Sequence, residues 1–142
     1  MLTSVYTMDD DPIDCLIAQK IISSSFEHCK LTLFHSPTKA LETLKELARE
    51  KPSAFPGCIF LDINMPLMNG FAFLDHLMCL PAQIIKETAV FMLSSSISAE
   101  DISKAMDYKV VNTYFSKPLT SKVLEATLKK RHQASPTHYL RR

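Results

Sequence analysis

Along the chain, apolar runs of strand length alternate with stretches whose apolar residues recur at helical spacing. Leu2 to Met8 is the first short run, and Asp9-Asp10-Asp11-Pro12 interrupts it. Ile13, Leu16, Ile17 and Ile21, with Phe26 beyond, then follow a helical period, and Pro12 suits that helix's first turn. Leu31 to Phe34 reads as a second strand. Ser36-Pro37 reads as an N-cap with proline at the first helical position, followed by Ala40, Leu41, Leu44, Leu47 and Ala48 on one face. Lys51 to Gly57 is a proline-containing loop. Cys58-Ile59-Phe60-Leu61 is apolar without alternation, as in a strand covered on both faces, and Asp62-Ile63-Asn64-Met65-Pro66 ends it. Phe71, Leu74, Leu77 and Met78 predict a third helix, Leu80 to Glu87 a slightly long loop, and Ala89 to Leu93 another fully apolar strand. Ser98-Ala99-Glu100-Asp101 has the form of a helix start, with Ile102, Ala105 and Met106 behind it. Val110 to Phe115 contains a fifth strand, and Val123, Leu124, Thr127 and Leu128 mark a last helix. Residues 132–142 lack periodicity and read as a frayed tail.

Strict alternation of strand and helix implies an α/β fold with a parallel sheet, helices on both faces and right-handed crossovers. In open sheets of this kind, ligands bind outside the carboxyl ends of the strands. Those ends carry Asp9-Asp10, Asp62, Ser94 and, after the fifth strand, Lys117. Carboxylates pressed together repel, and a divalent cation resolves the conflict; Mg²⁺ needs only one or two of them beside its waters. Asp62 can then act as a nucleophile toward phosphorus, with Lys117 as a point charge and Ser94 as a hydrogen-bond donor for equatorial oxygens. Each residue alone has an ordinary explanation as a turn, a cap or a solvated charge; it is their fall at the ends of different strands that argues for chemistry.

Composition narrows the field. With 142 residues, 46% hydrophobic and 22% charged, the chain fits one soluble domain with a real core. A net charge of +1 offers no field to draw nucleic acid or an acidic membrane surface. The two glycines leave no room for a G-x-G-x-x-G or P-loop cradle. Cys15, Cys29, Cys58 and Cys79 form no C-x-x-C pair and read as reduced core thiols of a cytoplasmic protein. Neither a signal peptide nor a membrane-spanning run is evident.

Asp9-Asp10, the string Asp62-Ile63-Asn64-Met65-Pro66-Leu67-Met68-Asn69-Gly70, Phe91-Met92-Leu93-Ser94-Ser95 and Lys117-Pro118 together resemble the receiver domains of bacterial two-component response regulators, in particular the single-domain, chemotaxis-regulator-like ones. The resemblance covers residues 3–130, with 131–142 as a flexible tail, and implies a flavodoxin-like (βα)5 fold. It implies that Asp62 is the phosphoacceptor, served by a sensor histidine kinase or histidine phosphotransfer protein. It further implies that Asp9, Asp10, Asp62 and the backbone carbonyl of Asn64 hold Mg²⁺. Ser94 and Lys117 would bind the phosphoryl group, Ser94 and Tyr114 would switch the output surface toward a downstream protein target, and Pro118 would follow a cis bond. On this reading the chain is not an enzyme beyond its own phosphorylation and dephosphorylation. Asp11, a third carboxylate, reads as solvent-facing or capping. Two rivals stand beside it: a constitutive receiver-like binding module, and a dehalogenase-class phosphohydrolase. The latter wants an aspartate two residues after the nucleophile, where this chain has Asn64, which cannot act as acid or base.

Overall fold

The computed structural model describes residues 4–95 and 98–134. Its elements in chain order are β1 (Ser4–Met8), α1 (Pro12–Ser25), β2 (Lys30–Phe34), α2 (Pro37–Glu50), a 3-10 turn (Pro52–Ala54), β3 (Cys58–Asp62), α3 (Gly70–Leu77), α4 (Ala82–Ile85), β4 (Ala89–Ser94), α5 (Ala99–Met106), β5 (Val111–Ser116) and α6 (Ser121–Ala134). The strands form one parallel sheet in the order β2-β1-β3-β4-β5, the flavodoxin-like doubly wound arrangement. The order reverses between β1 and β3, so the crevice at their carboxyl ends is the natural ligand site.

The unbroken apolar runs have the physical cause the pattern suggests. All residues of β3 and β4 are buried, because successive side chains enter cores on opposite faces. Ile59, Leu61, Val90 and Met92 pack with Ala40, Leu41 and Leu44 of α2, with Phe73, Leu74 and Leu77 of α3, and with Ala105 of α5. Cys58, Phe60, Phe91 and Leu93 pack on the other face with Ala18 and Ile22 of α1 and with Leu124 and Leu128 of α6. Phe60 stacks on Phe91 with ring centroids 5.0 Å apart.

Helix starts follow side-chain chemistry. Asp11 caps α1, accepting from the N–H of Ile13 at 2.9 Å, and so takes the capping role rather than that of a ligand. Ser36, Asn69 and Ser98 cap α2, α3 and α5 in the same manner.

The structure corrects several expectations. On α1 the stripe Ile13, Leu16 and Ile17 faces outward, 68%, 65% and 39% exposed, while Cys15, Ala18, Ile22 and Ser25 face inward. The helix is apolar on most sides, so spacing alone admits two inward faces; the sheet takes the one with small residues that allow close approach. On α5 only Ala105 is buried, and Ile102 and Met106 are 36% and 48% exposed. The expected loop from Leu80 to Glu87 contains α4, whose Ile85 reaches the core; a helix of one turn is too short to show a period. Cys79 is exposed just beyond α3 rather than a core thiol. Helix α6 runs to Ala134, past the expected start of the tail, and the rest of that tail lies outside the described residues, as do Leu2 and Thr3 of the expected first strand.

Candidate functional site

Each strand of the sheet's centre delivers one polar residue to its carboxyl edge. Asp9 follows β1 directly and is 2% exposed; Asp62 is the last residue of β3 and Ser94 the last of β4, both buried. One carboxylate oxygen from each of Asp9, Asp10 and Asp62 lies within 4.8 Å of the others, with Asp10 on the exposed side. Asp62 Oδ1 accepts the N–H of Asn64 at 3.3 Å, and Asp9 Oδ1 accepts that of Asp11 at 3.0 Å, so both carboxylates are held by their own following loops. Asn64 itself is exposed at the pocket's rim.

Lys117 closes the pocket from β5. Its backbone N–H donates to the Ser94 carbonyl at 2.8 Å, tying the two strand ends, and the Lys117–Pro118 bond is cis. Its ammonium sits 2.8 Å from Asp9 Oδ2, 3.1 Å from Asp14 Oδ2 and 3.2 Å from Asp62 Oδ2. Tyr114, half-buried, packs against the core on the face that carries α2, α3 and α5. Its strand partner is Met92, two residues before Ser94, which places Tyr114 and Ser94 on one face of the sheet.

The electrostatics follow from this crowding. Burial, and then the neighbouring Asp9 charge, push the Asp62 carboxyl up to about 6, against the downward pull of Lys117 and the Asn64 N–H. For Lys117 burial lowers the affinity for its proton. The hydrogen bonds to Asp9 and Asp14 and the charges of Asp62 and Asp9 outweigh this and hold the group above its ordinary range, so it stays an ammonium. Cys15 donates its thiol proton to the Asp9 carbonyl at 3.0 Å. Burial and the Asp9 charge raise that thiol to about 11, so it is no nucleophile at neutral pH. Asp9, Asp10, Asp14 and Asp62 against one ammonium leave the pocket with excess negative charge. Its donors are hard carboxylate oxygens, which fit Mg²⁺ or a similar hard cation.

The loop after Asp62 is shaped tightly. Leu67, 95% exposed, has φ 72°, and Met68 N–H donates back to the Pro66 carbonyl at 2.8 Å, a γ-turn that strains a non-glycine residue. Gly70 then starts α3 flush against β3: its N–H donates to the Ile63 carbonyl at 2.7 Å. A Cβ there would lie 2.8 Å from the Asp62 carbonyl oxygen and 2.9 Å from Ile63 Cα, both backbone atoms that cannot swing aside. Gly70→Ala is therefore expected to cost about 1–3 kcal/mol, as overpacking does, and to displace Asp62. Chemical denaturation and the backbone amide spectrum of residues 61–64 check it; an unperturbed spectrum would contradict the close approach.

Sequence reasoning named Asp9, Asp10, Asp62, Asn64, Ser94 and Lys117, which all fall on this edge, but it missed Asp14 and the packing role of Gly70. Asp14 lies one turn before Ala18 on the inward face of α1, and choosing the opposite face for that helix hid it.

A sequence profile of the response regulator receiver domain matches residues 5–129. The chain belongs to the response regulator receiver domain family. A two-component response regulator from Cytophaga hutchinsonii is 31% identical, with a TM-score of 0.80 over 91% of this chain and 96% of that one. A response regulator receiver protein from Dyadobacter fermentans is 26% identical, with a TM-score of 0.75 over 90% of this chain and 96% of that one. A hybrid signal transduction histidine kinase C of Dictyostelium discoideum is 28% identical over 136 residues, 90% of this chain but 10% of that protein. The chain thus spans about a tenth of that relative's length. Receiver domains of this kind are components of two-component signalling. Among the described residues no helix is long and apolar enough to cross a membrane.

Proposed function

We propose that this receiver domain accepts a phosphoryl group on Asp62 from a sensor histidine kinase or histidine phosphotransfer protein and passes the signal on through protein contacts in the cytoplasm. The observation that carries the reading is Asp62 itself: a buried carboxylate at a strand end, 3.2 Å from an ammonium and beside two further carboxylates that can share a cation. With its pKa raised to about 6, Asp62 is ionised at neutral pH yet more basic than an ordinary carboxylate, which suits a nucleophile. An Asp62 oxygen forms a bond to phosphorus, the bond from phosphorus to the donor's imidazole nitrogen breaks, and the imidazole keeps the electron pair. Asp9, Asp10 and Asp62, with the Asn64 carbonyl, would hold Mg²⁺, which neutralises charge on the transferring oxygens when bound. Lys117 and Ser94 serve the remaining phosphoryl oxygens.

Ser94 and Tyr114 share one face of the sheet, so a shift of Ser94 toward the phosphoryl group frees space for Tyr114 to turn inward. The surface of α5, β5 and α6 would then change, and its exposed Ile102, Met106 and Val123 suit an apolar downstream partner. On the other side, Ile17 of α1 lines the pocket beside Asp14 and Lys117, and with exposed Ile13 and Leu16 of the same helix it offers the phosphodonor protein a footing. The chain is read as a switch rather than an enzyme.

The test is incubation with Mg²⁺ and acetyl phosphate followed by intact mass measurement. A single base-labile phosphoryl adduct is expected. A folded protein that acquires none would make the site architectural and the chain a constitutive binding module; sustained release of inorganic phosphate from small esters would point to a hydrolase.

A further inference from the structure

We propose that Asp14 is a built-in competitor for Lys117, a positioning residue that holds the ammonium away from an incoming phosphoryl group and slows phosphorylation; this rests on the phosphoacceptor reading of Asp62. An ammonium has three N–H donors. In this pocket three carboxylate oxygens surround it, from Asp9 at 2.8 Å, Asp14 at 3.1 Å and Asp62 at 3.2 Å. Lys117 therefore has no donor left for a phosphoryl oxygen until one contact yields.

The three contacts are not equal. The Asp9 carboxylate is 2% exposed and also tied to the Asp11 N–H, and Asp62 becomes the phosphorylated group. The Asp14 side chain is 35% exposed and stands on the first turn of α1, at the open side of the pocket, where water can take over from the lysine. Asp14 is thus the contact released when Lys117 turns to the phosphoryl group. Its negative charge also meets the anionic donor on the way in. Both effects oppose uptake. Once Lys117 has moved to the phosphoryl oxygens, Asp14 is already displaced, so loss of the phosphoryl group is little affected.

The experiment compares wild type, Asp14→Asn and Asp14→Glu. Phosphoryl uptake from acetyl phosphate with Mg²⁺, and loss after donor removal, are followed by intact mass. In parallel, the Lys117 ammonium signal of the metal-free protein is followed by lysine ¹⁵N NMR. For a part-exposed, charge-assisted contact, Asp14→Asn is expected to speed uptake about five-fold at low salt, with the gain shrinking as ionic strength rises. Loss should change less than about two-fold on the same grounds, since the displaced Asp14 no longer acts on it. Asp14→Glu should stay near wild type, because it keeps the competing charge. The Lys117 ammonium should exchange with water faster in Asp14→Asn than in wild type. Uptake by Asp14→Asn at the wild-type rate or slower, or an unchanged Lys117 signal, overturns this inference alone. A wild-type chain that takes up no phosphoryl group overturns the phosphoacceptor reading, and this inference with it.

Discussion

Asp62→Asn is expected to abolish phosphoryl acceptance completely and, at the same time, to make the metal-free protein more stable at pH 7.5 by about 2 kcal/mol. The first effect follows because an amide is no nucleophile toward phosphorus. The second follows from the direction of the Asp62 shift. Burial, and then Asp9, raise its pKa to about 6 in the folded chain. An unfolded aspartate titrates at ~3.9. Between these values the native state binds more protons than the unfolded state, so stability falls as pH rises through the window from about 4 to about 6. Above it the full penalty of burying Asp62 as an anion beside Asp9 is present. Asparagine keeps the shape without that charge. Urea denaturation in EDTA at pH 4.5 and 7.5 checks this: the wild type should lose the increment across the window and the variant should not lose it. Added Mg²⁺ should stabilise wild type more than the variant. A variant less stable than wild type at pH 7.5, or one still carrying the adduct, would contradict the account.

The opposite substitution in charge terms is Lys117→Met. It removes the ammonium that contacts Asp9, Asp14 and Asp62 while keeping an apolar stem of similar length. Deleting one partner of a buried ionic cluster leaves the rest uncompensated and costs about 3–5 kcal/mol. Here the cost is expected at the lower end, because Asp14 reaches solvent. It should shrink at pH 5, where Asp62 is largely protonated, and with millimolar Mg²⁺, which supplies the missing positive charge. Phosphoryl uptake by the folded variant should fall by about two to three orders of magnitude, the usual loss when one preorganised donor at a transition-state oxygen is removed. The chain has no tryptophan, so quenched-flow mass measurement is the direct assay of that rate. A variant that takes up phosphate at the wild-type rate would remove Lys117 from the site.

Much of the fold could be read from local pattern. Five strand positions, the helix starts at Pro12, Ser36 and Ser98, and the double burial of Cys58 to Leu61 and Ala89 to Leu93 all rest on short-range chemistry that the sheet then uses unchanged. Placing Asp9, Asp62, Ser94 and Lys117 at one edge required only parallel order, because in parallel strands every carboxyl end points the same way.

Legibility failed where the answer depended on which neighbour an element meets. For α1, Ile13, Leu16 and Ile17 satisfy the helical period as well as Cys15, Ala18 and Ile22 do; contact with Phe60 and Leu124 decides between them, and neither is local. For α5, the single small Ala105 suffices where the helix approaches the sheet, and the larger Ile102 and Met106 remain outside.

The sequence by itself determined the order of the five strands and of the helices other than the one-turn α4, the family, and which polar residues stand at the strand ends, because a period of two or 3.6 and a cap are properties of neighbouring residues. Only the tertiary structure decided that Lys117 divides its ammonium among three carboxylates, that Asp14 is one of them, and that Gly70 admits no Cβ against Asp62. Asp14 and Lys117 lie 103 residues apart. Their hydrogen bond exists because α1 and the end of β5 converge on one edge of the sheet, and no pattern confined to either segment records that meeting.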